Sequence, residues 1–311
     1  MRCLVLGGAG FIGSHLVDAL VRDGHSVRVF DLQNINLGNL QQSIGSIEIT
    51  LGDFGNINDV SPTLDGMDVV IHLISTTTPG PSNKNPVYDV ETNVIGTLNM
   101  LKEAARKGVR KIIFPSSGGT IYGIPQSVPI AETHPTDPIC SYGITKLTVE
   151  KYLSFYHHLN DLDYTVLRFA NPYGPRQRIN SVQGAIAVFL GKVLKNEQIT
   201  IWGDGSIGRD YFFISDLISA IMKVIGPGTK SKLYNIGSGT SESLNEIIKV
   251  IEEVTGRKTK VNYTPPRMFD VPVNCLDISR AREELDWHPQ VELRKGIALT
   301  WEWLINSHRP S

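Results

Sequence analysis

The residues with the clearest chemical potential are a tyrosine and a lysine four positions apart. Tyr142 and Lys146 lie in the stretch Ser-Tyr-Gly-Ile-Thr-Lys. On a helix this spacing places both side chains on one face, one turn apart. A free phenol has a pKa near ~10 and is a poor base at neutral pH, but a nearby cation favours the phenolate. The pair could then take a proton from a substrate hydroxyl, although an isolated match is more often a solvated helix pair.

A glycine-rich turn near the start of the chain supplies a candidate partner for that chemistry. The sequence GGAGFIG at 7–13 satisfies both G-x-x-G-x-x-G and G-x-G-x-x-G, after an apolar run at 2–6 and before an amphipathic segment at 12–20. Such a turn lets the backbone approach a pyrophosphate, whose charge meets a helix N-terminus. The predicted cofactor contacts in this turn are Gly7, Gly10, Phe11, Ile12 and Gly13.

Two aspartates refine the predicted nucleotide. Asp31 closes the second apolar run 18 residues beyond Gly13, where a carboxylate can accept hydrogen bonds from a ribose diol and would repel a 2′-phosphate, so NAD is favoured over NADP. Asp53, after the third run, could reach the adenine or could simply form a turn. A nicotinamide gives the Tyr142–Lys146 pair a role, because a phenolate could accept a hydroxyl proton while hydride leaves the same carbon.

Composition excludes several other function classes. The chain has 311 residues, 41% of them hydrophobic, with 30 Lys+Arg against 31 Asp+Glu, so nothing favours a nucleic-acid partner. No stretch approaches the ~20 apolar residues of a membrane helix. Cys3, Cys140 and Cys275 are scattered without metal-ligand spacing, which predicts reduced thiols, a cytoplasmic location and no metal site.

The distribution of apolar runs predicts an α/β fold. Runs rich in Val, Ile, Leu and Phe alternate with helical patterns, which predicts a doubly wound, Rossmann-type parallel sheet with helices on both faces. One long helical pattern spans about 86–107. After residue 170 the pattern changes to turn-rich segments and shorter elements. We therefore expect a nucleotide-binding domain at 1–170 and a smaller α/β substrate lobe at 171–311, with segments interleaved between the two.

With these motifs in place, the chain resembles the extended short-chain dehydrogenase/reductases, and among them the nucleotide-sugar epimerases of the UDP-glucose 4-epimerase type. The resemblance spans nearly the whole chain and includes ETNVIGT at 91–97, SSGGTIYG at 116–123, LRFANPYGP at 167–175 and GRDY at 208–211. It implies reversible oxidation at the sugar C4 by tightly held NAD, return of hydride to the opposite face and inversion of one hydroxyl. UDP-glucose, UDP-galactose and possible N-acetylated forms are the implied substrates.

The resemblance also assigns roles to individual residues. Tyr142 would be the acid/base and Lys146 its electrostatic partner. Further cofactor contacts would be Phe54, Leu73, Asn93 and Ser116. Contacts to the nucleotide diphosphate and its ribose would be Asn171, Arg209, Arg267 and Asp270. A surface salt bridge is the alternative role for each arginine, and a plain turn is the alternative for Asn171.

Three positions bear on the reaction and the substrate. Many relatives carry a Ser or Thr where this chain has Gly118, so Ser117 or Thr120 must supply that hydroxyl, with Ser117 slightly favoured. The Gly118-Gly119-Thr120 stretch also lacks the Asp-Glu pair of sugar 4,6-dehydratases. Asn274 stands where epimerases restricted to unmodified hexoses often carry a bulky Tyr, so we expect room for an N-acetyl group.

The same motifs are compatible with other functions. A nucleotide-sugar reductase or dehydrogenase would share the motifs but release its cofactor each turnover. UDP-uronate epimerases and decarboxylases would need a cation near the sugar carboxylate, and a non-catalytic dinucleotide-binding scaffold is disfavoured because Tyr142 and Lys146 are both present. A homodimer is expected, with Val149, Tyr152, Leu153 and Tyr156 as apolar surface, although these side chains would equally suit burial within one chain.

Overall fold

A computed structural model describes residues 1–181, 183–266 and 271–307. Several strands in the described residues are short apolar runs that are followed by a turn, as β1 is by the glycines from position 7. In chain order the strands are β1 (Arg2–Leu6), β2 (Ser26–Asp31), β3 (Ile47–Leu51), β4 (Val69–His72), β5 (Lys111–Ser117), β6 (Asp163–Phe169), β7 (Asn171–Tyr173), β8 (Ile199–Trp202), β9 (Gly208–Arg209), β10 (Tyr211–Phe213), β11 (Leu233–Ile236), β12 (Glu242–Ser243), β13 (Val261–Thr264) and β14 (Val273–Asn274).

Helices occupy most of the segments between these strands. They are α1 (Phe11–Arg22), α2 (Ile57–Val60), α3 (Pro79–Lys84), α4 (Pro86–Asp89), α5 (Gly96–Arg106), α6 (Ser141–Asn160), α7 (Ala185–Leu194), α8 (Ile214–Ile225), α9 (Leu244–Thr255), α10 (Ser279–Leu285) and α11 (Leu293–Ser307). Short 3₁₀ turns lie at Leu37–Leu40, Ile44–Ser46 and Ser61–Leu64. None of the helices in the described part of the chain is long and apolar enough to cross a membrane.

The main sheet has seven strands in the order β11-β6-β5-β4-β1-β2-β3, all paired in parallel. Successive side chains of a strand point to opposite faces, and in β1 both sets are buried. Cys3 and Val5 belong to a core that includes Leu16 of α1 and Leu217 of α8. Helices therefore cover both faces of the sheet, which confirms the predicted doubly wound fold.

The opposite face of the sheet carries the helix with the tyrosine and lysine. Leu4 and Leu6 of β1 pack in a second core with Leu101 of α5 and with Val149 and Leu153 of α6. Both α6 side chains are buried, so of the two roles left open for Val149 and Leu153, burial within the chain is the one found. Their burial packs the middle of α6 against the sheet.

The helical pattern predicted at 86–107 is interrupted in the structure. A turn of π-helix, Val90–Ile95, separates α4 from α5. Within this turn the Asn93 side chain bonds back toward α4, and the hydroxyl of Thr97 donates to the Asn93 carbonyl oxygen at 2.6 Å. π-turns of this kind often lie at functional sites.

Residues after 170 contribute to both parts of the molecule. Strand β11 pairs with β6 at the edge of the main sheet, and α8 packs against α1. The shorter strands form three small sheets, ordered β10-β7, β12-β9-β14 and β13-β8. The chain therefore leaves the main sheet after β6 and returns to it, and the division into 1–170 and 171–311 stays a prediction.

Candidate active site

The carboxyl ends of the parallel strands bring the predicted residues to one edge of the sheet. The glycine-rich turn follows β1, Asp31 ends β2, Leu73 follows β4 and Ser117 ends β5. In open parallel sheets this edge is where ligands bind. The fold alone therefore collects residues that lie more than a hundred positions apart in the chain.

The turn at 7–13 has the shape that close backbone approach requires. Gly7 has φ of +84°, a conformation that L side chains rarely adopt. A Cβ on Gly13 would lie 2.2 Å from the Gly7 carbonyl oxygen, so a side chain there would collide with the backbone. Gly10 precedes α1 without a side-chain cap, which leaves the first N–H groups of the helix for an anion. The turn fits a pyrophosphate.

Asp31 is fixed above this turn by backbone donors. Its Oδ2 accepts the N–H of Ala9 at 2.9 Å, and its Oδ1 accepts the N–H of Leu32 at 2.9 Å. A carboxylate has lone pairs beyond these two bonds and can also accept from a ribose diol. Together with the glycine turn, Asp31 fits the NAD predicted from the sequence.

Of the predicted cofactor residues that follow strands β3 and β4, Leu73 lies next to the glycine turn, whereas the side chains of Asp53 and Phe54 make other contacts. Leu73 lies beside the turn, since a Cβ on Gly7 would be 3.4 Å from its carbonyl carbon. Asp53 is exposed and accepts the N–H of Gly55 at 2.8 Å, as a plain turn aspartate would. The Phe54 ring is buried, 4.9 Å from the ring of His72, so this side chain packs in the core.

Asn93 and Ser116 also use their side chains internally. The Asn93 amide donates to Asp89 Oδ1 at 2.8 Å, and its oxygen accepts the N–H of Thr76 at 3.0 Å. The Ser116 hydroxyl donates to Glu150 at 2.6 Å and is buried. In these contacts the two residues support the surrounding segments, and a cofactor contact stays a prediction for each.

Tyr142 and Lys146 lie on the first two turns of α6. Lys146 Nζ donates to the Pro115 carbonyl oxygen at 3.2 Å and lies 5.7 Å from the centre of the Tyr142 ring. Burial lowers the pKa of Lys146 to about 8, and the negative charges of Asp89 and Glu150 oppose that shift. The structure therefore brings the predicted pair together at the end of β5.

The protein's own groups hold the Tyr142 phenol in its neutral form. Burial, with smaller contributions from Cys140 and Asp89, raises the pKa of Tyr142 to about 12, although a hydrogen bond with Ser75 acts in the opposite direction. Positive charge from elsewhere is needed before this phenol becomes a base near neutral pH. A nicotinamide in its oxidised form would supply such a charge.

The two candidate hydroxyls prove to be neighbours. Thr120 Oγ1 donates to Ser117 Oγ at 2.9 Å. The intervening Gly118 has no room for a side chain, because its Cβ would lie 2.5 Å from Leu276 Cδ1 and 3.2 Å from the Arg168 carbonyl oxygen. A hydrogen-bonded Ser117–Thr120 pair therefore flanks Gly118, and the role of either hydroxyl in catalysis stays a prediction.

Three of the predicted substrate residues, Asn171, Arg209 and Asn274, lie on the short strands β7, β9 and β14. The backbone N–H and the side-chain amide of Asn171 both donate to the Asp210 carbonyl oxygen, at 2.9 and 3.0 Å. Arg209 pairs with Asn274 across strands β9 and β14. Asn274 is buried and donates to the Gly118 carbonyl oxygen at 2.9 Å, which joins the lobe to the hydroxyl segment.

Two predicted residues, Arg267 and Asp270, lie outside the described residues. The segment before them borders an open cleft of about 710 Å³. The cleft is next to β9, which carries Arg209. Its lining residues are Gly203, Asp204, Ile207, Tyr263, Thr264 and Pro266.

Sequence reasoning missed the buried carboxylates around the pair. Asp89 is fully buried, and Glu150 is buried in an ion pair with Arg168 at 2.6 Å. A signal was available for each, because Asp89 precedes Asn93 by four positions and Glu150 follows Lys146 by four. Both spacings place the carboxylate on the same helical face as a residue already singled out.

Comparison with known proteins agrees with this geometry. Residues 3–237 match the model of the NAD dependent epimerase/dehydratase family. A putative UDP-glucose 4-epimerase of Methanocaldococcus jannaschii is 36% identical over 307 residues, which are 98% of this chain and 99% of that protein.

Two solved structures have closely similar folds. A UDP-glucose 4-epimerase of Thermotoga maritima, solved with UDP-glucose, has a TM-score of 0.94 at 37% identity and covers 99% of this chain and 100% of its own. A UDP-glucose 4-epimerase of Thermus thermophilus in complex with NAD has a TM-score of 0.90 at 32% identity, with 97% and 98% covered. The family indicated by the motifs is confirmed: this chain belongs to the NAD dependent epimerase/dehydratase family.

Proposed function

We propose that the protein is an NAD-dependent 4-epimerase of UDP-hexoses. The observation that carries the proposal is the meeting of Tyr142, Lys146 and the Ser117–Thr120 hydroxyls at the sheet edge that also holds the glycine turn. The relatives described above bear the name UDP-glucose 4-epimerase, and they cover essentially the whole chain. Their names and this geometry support the same reaction.

The protein residues divide the proton transfer between them. The glycine turn and Asp31 would hold NAD, which would supply a reversible acceptor for the hydride of the sugar carbon. Tyr142 takes the proton of the C4 hydroxyl as phenolate and gives it back as phenol. Lys146, held by the Pro115 carbonyl, provides positive charge beside the phenol. Ser117, which already accepts from Thr120, has its own hydroxyl proton left to donate to the sugar oxygen.

The smaller lobe holds the nucleotide in this proposal. Arg209 is oriented by bonds from its Nη1 to the carbonyl oxygens of Gly208 and Val271, at 2.8 and 2.7 Å. A guanidinium suits phosphate oxygens, so Arg209 with Asn171 would hold the diphosphate. Arg267 and Asp270 are expected to join them. Anchoring at the diphosphate leaves the sugar to turn over beside Tyr142.

The substrate range follows from the region around Asn274. Its short side chain is tied to the Gly118 carbonyl and does not extend as a tyrosine would. We therefore propose that N-acetylated UDP-hexoses are accepted as well as unmodified ones.

The first test uses the purified protein without added cofactor. It is incubated with UDP-glucose and, separately, with UDP-GlcNAc, and the sugars are resolved by chromatography. Formation of the C4 epimer supports the proposal, and the accepted sugar reports on the Asn274 region. If neither sugar changes but added NADH is consumed by a 4-keto nucleotide sugar, the protein is a reductase. The matched control is Tyr142→Phe, which keeps the ring and removes the phenol.

We also propose that the protein is a homodimer. Exposed apolar side chains lie on α4, on the π-turn and on α6, whose helices contact each other. The Tyr152 and Phe155 rings pack edge to face at 6.3 Å within this surface. The exposed members are Val87 (65%), Tyr88 (45%), Val90 (42%), Ile95 (48%), Ile144 (52%), Tyr152 (38%), Phe155 (51%) and Leu159 (63%). A contiguous apolar surface of this kind favours a protein partner, and a second copy would pair it with itself.

Charge placed on this surface tests the dimer. Phe155→Asp combined with Leu159→Asp should convert the protein to a monomer in sedimentation or light-scattering measurements. Leu299→Asp, at a residue 39% exposed on α11, is the matched control and should leave the mass unchanged. A wild-type monomer at micromolar concentration would rule the dimer out.

A cytoplasmic location is part of the same proposal. Cys3, Cys140 and Cys275 are unpaired and buried, as reduced thiols of a cytoplasmic protein would be. Thiol titration of the protein denatured directly from cells, with and without reductant, tests this. Three reactive thiols in both samples are expected, and a loss without reductant would contradict the proposal.

A further inference from the structure

We propose that Asp89 is a positioning residue for the Tyr142–Lys146 pair, whose carboxylate fixes the first turn of α6 and places a negative charge at the start of the helix that carries both side chains. Asp89 ends α4 and has no exposed surface. The inference rests on the acid/base roles proposed above. It concerns a residue that does not itself touch the reacting atoms.

The Asp89 carboxylate joins three separate segments. Oδ1 accepts from the Thr77 hydroxyl at 2.5 Å and from the Asn93 amide at 2.8 Å. Oδ2 accepts from the hydroxyls of Ser141 at 2.7 Å and Thr145 at 3.3 Å, both on α6. The carboxylate thus ties the loop after β4 and the π-turn to the helix that carries the proposed acid/base.

The two α6 contacts are on either side of Tyr142 in sequence. Ser141 immediately precedes it, and Thr145 follows it by three positions and immediately precedes Lys146. The first backbone N–H groups of the helix are held from α3, where Asn83 Oδ1 accepts from Ser141 N–H at 2.9 Å and Ser82 Oγ accepts from Tyr142 N–H at 3.0 Å. The start of α6 is therefore held by side chains, with Asp89 contributing the only carboxylate among these described contacts.

None of the hydrogen bonds described for the Asp89 carboxylate comes from an arginine or a lysine. Among the described residues, all four of its side-chain partners are neutral donors. Its negative charge therefore acts on Lys146, whose pKa it raises against the effect of burial. The same charge raises the pKa of Tyr142. Asp89 thus favours the protonated form of both members of the pair.

Other titratable groups facing the pair do not duplicate this role. Glu150 also favours protonated Lys146, but it is paired with Arg168 at 2.6 Å. Burial lowers the pKa of His72 to about 3, so this ring is neutral near pH 7. Burial raises the pKa of the Cys140 thiol, which is therefore also neutral there. Asp89 is left as the unpaired negative charge that acts on both Tyr142 and Lys146.

Loss of the Asp89 charge should move the pH dependence of kcat toward lower pH. Activity requires Tyr142 to lose its proton and Lys146 to keep one, so the acid limb of the kcat profile reports the tyrosine and the alkaline limb the lysine. Replacement of Asp89 by Asn removes a charge that raises both pKa values. Both limbs should therefore move to lower pH, by about one unit.

The test compares Asp89→Asn with wild type in the purified holoenzyme. We expect kcat near pH 8 to fall about tenfold or more, with both limbs displaced toward acid. The matched control is Ser141→Ala with Thr145→Val, which removes the two α6 contacts and keeps the charge. That variant should lose activity at every pH without displacement of either limb.

A spectroscopic titration separates this inference from the proposed function. Phenolate absorbance near 295 nm is followed against pH, and subtraction of the corresponding Tyr142→Phe protein isolates Tyr142. The Asp89→Asn protein should ionise this tyrosine at lower pH whatever the sugar substrate is. Unchanged limbs and an unchanged phenolate titration would overturn the charge role. If Asp89→Asn does not fold, unchanged kcat in the Ser141/Thr145 variant would overturn the positioning role.

Discussion

At the scale of single residues, the two hydroxyls near Gly118 are predicted to have unequal roles. Because Thr120 donates to Ser117, the Ser117 proton is the one available to a substrate. Ser117→Ala should lower kcat by about 10²-fold, within the range of lost proton or oxyanion contacts. Thr120→Val should cost about tenfold or less, as loss of one supporting hydrogen bond. Steady-state kinetics of both variants decide the order, and a larger loss for Thr120→Val would reverse the assignment.

Gly118 yields a second prediction at the same scale. Gly118→Ser restores the residue type common in relatives, but its Cβ meets buried Leu276 at 2.5 Å. Overpacking of this kind costs about 1–3 kcal/mol of unfolding free energy. Chemical denaturation should show that loss, and the added hydroxyl should not rescue the Ser117→Ala variant. Rescue would show that the segment can rearrange to present residue 118 to the substrate.

Residue types and spacing predicted the centre of the site better than its support. Tyr142, Lys146 and Asp31 could be placed because strand order and helix period determine where they lie. The inward contacts of Asn93 and Ser116 and the burial of Phe54 could not, because they depend on which side chain fills a given interior space. The four-residue spacing of Asp89 from Asn93 was visible in the sequence, but the burial of its carboxylate depends on the same interior packing.

At the scale of elements, α6 is fixed to the sheet by a buried ion pair. Glu150 accepts from Arg168 of β6 at 2.6 and 3.0 Å and from Ser116 of β5 at 2.6 Å. Glu150→Ala leaves the buried Arg168 without its partner and should cost about 3–5 kcal/mol of unfolding free energy. Urea denaturation measures this loss. Glu197→Ala, which breaks an exposed pair with Lys192, is the control and should change stability little.

The strands of the main sheet were predictable because parallel strands buried on both faces appear as continuous apolar runs. The break between α4 and α5 was not predicted, because an apolar periodicity continues through it. In the π-turn the Thr97 hydroxyl donates to the Asn93 carbonyl oxygen, a contact that apolar spacing does not indicate. Hydrophobic pattern therefore locates elements but not irregularities within them.

At the scale of the whole molecule, the return of β11 to the main sheet predicts how the chain responds to division. A fragment ending at residue 170 would lack β11, which pairs with β6, and α8, which packs against α1. Both an unpaired sheet edge and an uncovered apolar face would result. We expect this fragment to lack the cooperative unfolding transition of the full chain in circular dichroism.

Addition of a separate 171–311 chain is the control for that experiment. Recovery of a cooperative transition on mixing would show that the missing elements, rather than the cut itself, cause the loss. A fragment 1–170 that unfolds cooperatively on its own would instead support a domain boundary at residue 170.

The position of β11 also has a consequence for synthesis on the ribosome. Strand β6 ends at Phe169, but its neighbour β11 is complete only at Ile236, after nearly half of the smaller lobe has been translated. During that interval the nascent sheet presents an open edge to other chains. Chaperone binding to stalled nascent chains should therefore peak for chains in which residue 169, but not residue 236, has left the exit tunnel, and decline for longer chains.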